Sequence, residues 1–291
     1  MLSTWAFGAL TLLAMPQSER TIAVVAEDAK GAVVSELSAE DLAVVEDGVA
    51  RTVTRVKADE RPLTLAVVLD SSAVFEMSLR TDMIEPLVTF LAGLPAGSTF
   101  AVWTTGDRPI KVVDFTDDAA GAGPPLRKVT PRGGSTTFDA IDEALTALSG
   151  REGARSALLI VTGNAVEFSG RERPAALSDA DLRGDTRIEA ILIDLGRLAA
   201  IPNPQEHRSP MERIAEYERT LKGLAESTGG RFERLLSTMG VAQALERVRQ
   251  SLRGSLLVTY VSDSDAGQPK IEVKVARPGI TVRAGAPLGA R

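Results

Sequence analysis

Three short clusters in this chain gather carboxylate, hydroxyl and amide groups at the ends of apolar runs or just before a helical pattern. Asp70-Ser71-Ser72 ends one apolar run, Gly133-Gly134-Ser135-Thr136-Thr137 precedes a helical pattern, and Thr162-Gly163-Asn164 ends another apolar run. Three of these residues have a structural use. Thr136 with Asp139 is spaced as a helix-capping pair, Ser72 can cap the helix that follows it, and Asp70 can accept amides from neighbouring loops.

Catalytic chemistries find little support. As a phosphoryl acceptor, Asp70 is followed by Ser-Ser-Ala-Val, with no second carboxylate to hold Mg²⁺. A serine hydrolase needs an imidazole, and the single histidine, His207, lies in a polar stretch with Pro202, Pro204 and Pro210, where a solvated loop role is expected. The absence of cysteine removes disulfides, thiolate zinc sites and cysteine nucleophiles. Gly121 to Gly123 lacks the Gly-Lys-Ser/Thr of a phosphate loop, and no Gly-x-Gly-x-x-Gly follows a strand. No catalytic residue is assigned, and a hydrolase or phosphotransferase using Asp70 is the weakest of the functional readings.

The elements that must position these clusters follow from pattern. With 44% hydrophobic and 25% charged residues over 291 positions, the chain can bury a sizeable core. Residues 19–60 read as β-rich: Ile22, Val24 and Val25, then Val33 and Val34, a capped turn at Ser38 to Asp41, and Val44-Val45 leading to an Asp47-Gly48 hairpin turn. Over 61–254, short apolar strands alternate with amphipathic helices, which predicts a mostly parallel, doubly wound sheet. Strands are expected at Leu65 to Leu69, Phe100 to Trp103, Ile110 to Phe115, Ala157 to Val161, Ile188 to Ile193 and Arg231 to Leu236. Helical stripes run through Ile84-Leu87-Leu91, Ile141-Leu145-Leu148, Tyr217-Leu221-Leu224 and Val241-Leu245-Val248-Leu252, while Gly121 to Pro125 and Arg197 to Pro210 read as loops. Residues 255–291 return to β-character, with Ile271, Val273 and Val275 alternating with polar neighbours. The economical arrangement is an α/β domain inserted in a small β-sandwich built from both chain ends. In such a sheet, ligands bind beyond the carboxyl ends of the strands, where all three clusters fall.

Net charge is −6 with no Lys/Arg-rich run, so nucleic acid is not an expected partner. The apolar run Trp5 to Ala14, followed by Met15-Pro16-Gln17, has the length of a signal-peptide core, and residues 1–18 are read as a leader that directs the product to a secreted or periplasmic location. No later stretch approaches the roughly 20 apolar residues of a membrane span.

The order and spacing of the three clusters resemble the von Willebrand factor A family, which places Asp-x-Ser-x-Ser, a Gly-Gly-Thr segment and Thr-Asp-Gly at these points. The resemblance covers roughly Pro62 to Gly254, and Leu37 to Leu42, Glu46-Asp47-Gly48, Phe138 to Ile141 and Leu224-Ala225 with Thr228-Gly229-Gly230 are similar to a bacterial subgroup with β-rich flanks. It implies a metal-ion-dependent adhesion site in which a divalent cation captures a carboxylate of a protein partner. Here Val74 occupies the second serine position and Gly163 the aspartate of Thr-Asp-Gly, so the implied site is degenerate. The metal ligands that the resemblance implies are Asp70, Ser72 and either Ser135 or Thr136, a sparse set for Mg²⁺, which takes about six oxygen ligands and keeps several waters. The resulting expectation is an exported protein-binding module of adhesion type; the alternative is a structural or assembly subunit that binds through its β-sandwich.

Overall fold

The computed structural model describes residues 18–149, 151, 154–170, 185–196, 209–264 and 269–289. All of the leader expected at 1–18 except Ser18, almost all of the 197–210 loop, and His207 lie outside the described residues.

Both chain ends fold into antiparallel β-structure. From the first come β1 (Ser18–Asp28), β2 (Leu42–Glu46), β3 (Val49–Arg51) and β4 (Val53–Ala58), and from the last β11 (Leu256–Ser262), β12 (Ile271–Val275) and β13 (Ile280–Pro287). They pair as two sheets, ordered β13-β1-β11-β4 and β12-β2-β3, over a shared core that includes Ile22, Val24, Leu42, Val44, Val258 and Tyr260. The Asp47-Gly48 turn between β2 and β3 has φ of 50° and 82°, the doubly positive geometry that favours this residue pair. Val33 forms only an isolated bridge to Glu27, so the strand expected at Val33-Val34 is not made.

Between β4 and β11 the chain leaves the sandwich and returns beside its own exit. Ala58 pairs with Leu256, and the Asp59 amide donates to the Ser255 carbonyl at 2.9 Å. The excursion contains β5 (Leu63–Leu69), α1 (Glu85–Ala92), β6 (Thr99–Thr104), β7 (Ile110–Thr116), α2 (Ala119–Arg127), α3 (Thr137–Ser149), β8 (Arg155–Gly163) and β9 (Arg187–Ile193), then α4 (Pro210–Ser227), β10 (Phe232–Leu235) and α5 (Val241–Arg253). Its six strands run in the order β10-β9-β8-β5-β6-β7, all parallel except the edge strand β7. Because side chains alternate along a strand, Leu65, Val67 and Leu69 of β5 pack against one helical layer and Ala66 and Val68 against the other. That two-sided burial explains the continuous apolar run.

One local expectation changes. Gly121 to Pro125 is not a loop but the middle of α2, although Pro124 and Pro125 each remove a backbone donor. Asp118 caps this helix by accepting from the Gly121 amide at 2.8 Å, and Ala122 and Leu126 are buried on its inner face. Pro86 lies in the first turn of α1. A π-turn at Leu79–Ile84 precedes it and buries Leu79, Met83 and Ile84.

The sandwich meets the amino ends of the parallel strands through a buried ionic network. Glu189, 1% exposed, accepts from Arg187 and from the Arg231 amide at 2.8 Å each, and Glu27 pairs with Arg283 at 2.7 Å and with Arg231 at 2.5 Å. Arg187 also donates to Ser251 and Ser255, and Asp59 receives both prongs of Arg61.

Candidate functional site

At the opposite, carboxyl ends of the strands, the structure brings the three sequence clusters together. Asp70 is fully buried just beyond β5. One of its oxygens accepts from the Ser72 amide at 2.9 Å and the Thr105 hydroxyl at 3.1 Å; the other accepts from the Thr162 hydroxyl at 3.0 Å and the Gly163 amide at 3.2 Å. The reading of Asp70 as an acceptor of loop amides therefore matches its geometry. Hydroxyls extend the cluster: Ser135 bonds to Thr137 at 2.6 Å, Thr137 to Thr162 at 3.1 Å, and Thr162 to Tyr217 at 2.9 Å.

The two capping readings do not hold. The Ser72 hydroxyl makes no cap bond, and the Asp139 carboxylate accepts from the Gly170 amide while its own amide donates to Ser169. Ser72 Oγ and Thr136 Oγ1 are instead buried without a hydrogen-bond partner. Unpaired buried hydroxyls cost about 1–3 kcal/mol each and are uncommon in folded proteins.

Three members of the cluster escaped the sequence reading. Thr105 follows β6 and obeys the same strand-end rule as Asp70. Tyr217 is part of the core stripe of α4, so its phenol gave no separate signal. Glu167 lies beyond β8, where its carboxylate accepts from the Thr137 amide at 3.3 Å and from both the amide and hydroxyl of Ser169 at 3.1 and 2.5 Å. Burial, reinforced by the nearby Asp70 charge, pushes Glu167 up to about 7. Burial also pushes up the Tyr217 phenol, helped by Glu167 and Asp70. The second carboxylate missing from the segment after Asp70 is thus supplied from another loop.

Most of the candidate donors are already engaged by the protein. Both Asp70 oxygens are each engaged by two protein donors, Ser135 is committed to Thr137, and the Val74 and Gly163 side positions supply no oxygen. A Cβ at Gly163 would lie 2.7 Å from Leu195 Cδ1 and 2.8 Å from Phe75 Cζ, so apolar side chains fill the space into which an aspartate there would point. Of the candidate ligands, the Ser72 and Thr136 hydroxyls have no hydrogen-bond partner. Among the described residues, no group of three or more His, Cys, Asp or Glu is placed to hold a metal.

Exposed hydrophobic side chains gather around this centre. Of the six large hydrophobic residues exposed among the described residues, Met77, Phe168, Leu236 and Met239 lie in segments leaving strand carboxyl ends, and Met211 is in the opening turn of α4, which returns from that face. Only Val49 is elsewhere, in the sandwich. Phe168 lies over Gly134, and Thr238 donates to Asp82 at 2.7 Å, tying the Leu236–Met239 segment to the turn beyond Met77.

The inserted domain is a doubly wound α/β sheet with one antiparallel edge strand and a polar cluster at its strand ends. No protein-family profile matches the sequence, and no curated protein does. Solved structures do. The chain is similar to a von Willebrand factor type A protein from Catenulispora acidiphila, at 13% identity and a TM-score of 0.51, covering 92% of this chain and 73% of that one. It is also similar to proximal thread matrix protein 1 of the mussel byssus, solved with zinc in its metal-ion-dependent adhesion site, at 16% identity and a TM-score of 0.50, covering 75% of this chain. This chain spans about half the length of that byssus protein, 50%. The inserted domain therefore has the von Willebrand factor A-type fold.

Proposed function

We propose that the chain is a protein-binding module of adhesion type whose 61–254 domain docks a partner through the strand-end face without a metal ion, residues 19–60 and 255–291 forming its support. The observation that carries this reading is the concentration of exposed hydrophobic residues on that face: five of the six among the described residues. Apolar side chains scattered singly need no explanation, but their gathering on one functional face marks an interaction surface. A byssal matrix protein and the bacterial type A protein share the fold, which is compatible with binding but carries function only weakly. An extracellular or periplasmic setting is part of the proposal, resting on the apolar run Trp5 to Ala14. Among the described residues no helix is long and apolar enough to cross a membrane.

The second reading, assembly through the sandwich, is favoured only by exposed Val49 on the short strand β3. Affinity capture from an envelope extract of the source organism separates the two, using the full chain, a Met77→Ser/Leu236→Ser/Met239→Ser variant and a Val49→Ser variant. The expected result is a specific partner retained by the wild type and the Val49 variant and lost by the triple variant, unchanged by EDTA. Loss only with Val49→Ser would transfer the function to the sandwich, and loss with EDTA would restore a metal-dependent mechanism.

A further inference from the structure

Beside the Asp70 cluster, at the outer edge of the strand-end face, a hollow of about 290 Å³ opens between the β6–β7 turn and the segment leading from α2 to Gly133. Its charged lining is Arg108, Lys128 and Arg132 against the single acid Asp107. Arg132 and Asp107 stand 4.0 Å apart, both well exposed, a separation at which a solvated pair gains little. Neither Arg108 nor Lys128 pairs with a carboxylate among the described residues. A chain of net charge −6 thus gathers three cations around one concavity and neutralises them with one acid.

We propose that this hollow binds a carboxylate carried by an acidic peptide segment of the partner; the proposal rests on the protein-binding reading above and gives that partner a chemistry. Cations outnumbering acids around a concave surface create a local positive potential that selects anions. Two guanidinium groups match the planar fork of a carboxylate, and the Lys128 ammonium adds a point charge. The volume suits one or two side chains rather than an extended ligand. A polyanion is disfavoured, because it would meet the acidic remainder of the chain.

The hollow is also anchored to the centre of the site. Its floor includes Ser71 and Thr105; Ser71 donates to the Thr105 carbonyl, and the Arg132 amide donates to the Ser71 carbonyl at 3.0 Å. Since Thr105 also holds Asp70, an acid seated here is placed in fixed register with the exposed residues beyond it. The partner segment would carry an acidic side chain flanked by apolar ones.

The test is an amide-resolved NMR titration of the full chain with glutarate and, separately, with inorganic phosphate, beside an Arg108→Gln/Lys128→Gln variant. Expected are saturable glutarate shifts confined to Thr105–Arg108 and Lys128–Arg132, weakened about tenfold or more in the variant and by added salt. The proposal is overturned by no saturable shift up to roughly 50 mM, by equal binding in the variant, or by phosphate binding about tenfold tighter than glutarate. Running the same double variant in the capture experiment separates the two readings. Capture that needs Met77 and Leu236 but ignores the double variant removes the hollow from the interface and leaves the docking face standing. Glutarate binding without any effect of either variant on capture overturns both.

Discussion

The two ends of the parallel sheet each bury charge, and they handle it in opposite ways. At the amino ends, Glu27, Glu189 and Asp59 each face an arginine side chain, and the network joins the inserted domain to the sandwich. At the carboxyl ends, Asp70 and Glu167 have no cationic partner among the described residues, and Ser72 and Thr136 leave hydroxyls unpaired. The first end ties two parts of the molecule together through paired charges, whereas the second leaves buried polar groups without that compensation.

The largest effect should come from breaking the paired end. Glu189→Ala leaves Arg187 buried without its carboxylate and frees the Arg231 amide. Removing one partner of a buried pair costs about 3–5 kcal/mol, so the urea midpoint should fall sharply, with partner capture lost only as far as the protein unfolds. A change below about 1 kcal/mol would mean that water already screens this network.

Sequence and structure agree most where burial alone dictates the pattern. The strands β5, β8 and β9 were legible because two-sided burial admits only apolar side chains, and the sandwich was legible because its β-rich ends flank the insert. What was not legible depends on through-space partners. Residues 121–125 read as a loop from their glycines and prolines, whereas the Asp118 cap and the buried Ala122 and Leu126 hold them helical. Asp70 was found by its position after a strand, but Glu167 enters from a segment with no periodicity. The filling of the Gly163 site by Phe75 and Leu195 joins residues 88 and 32 positions away from it. Hydroxyl spacing likewise suggested caps at Ser72 and Thr136, because spacing reports which bonds are available and not which are made.

The unpaired end should reveal itself through pH. Glu167 titrates at about 7 in the fold against an ordinary 4.5. The folded state therefore holds its proton over an interval in which the unfolded chain has released it, and stability must fall as pH rises through that window. A shift of this size corresponds to about 3 kcal/mol at most. Urea midpoints measured from pH 4.5 to 7.5 should decline, and Glu167→Gln should flatten this part of the profile. An unchanged slope in the variant would place the titration elsewhere and weaken the contrast between the two ends.

The smallest effect is the most telling about the site, because its sign is opposite to that of an ordinary buried substitution. Ser72→Ala and Thr136→Val each remove a hydroxyl that is buried without a partner. Deleting such an oxygen relieves its desolvation cost at the expense of a small loss of packing, so each variant should be more stable by about 0.5–1 kcal/mol. Midpoints should rise in urea with unchanged slope, the sign of altered stability rather than altered compactness. A loss of about 1 kcal/mol or more in both variants would instead mean that the two hydroxyls share a partner in solution. Repeating the measurement with millimolar Mg²⁺, Mn²⁺ and EDTA then identifies it. A metal-dependent loss would reopen the cation site that Phe75 and Leu195 close, and a metal-independent one would point to ordered water.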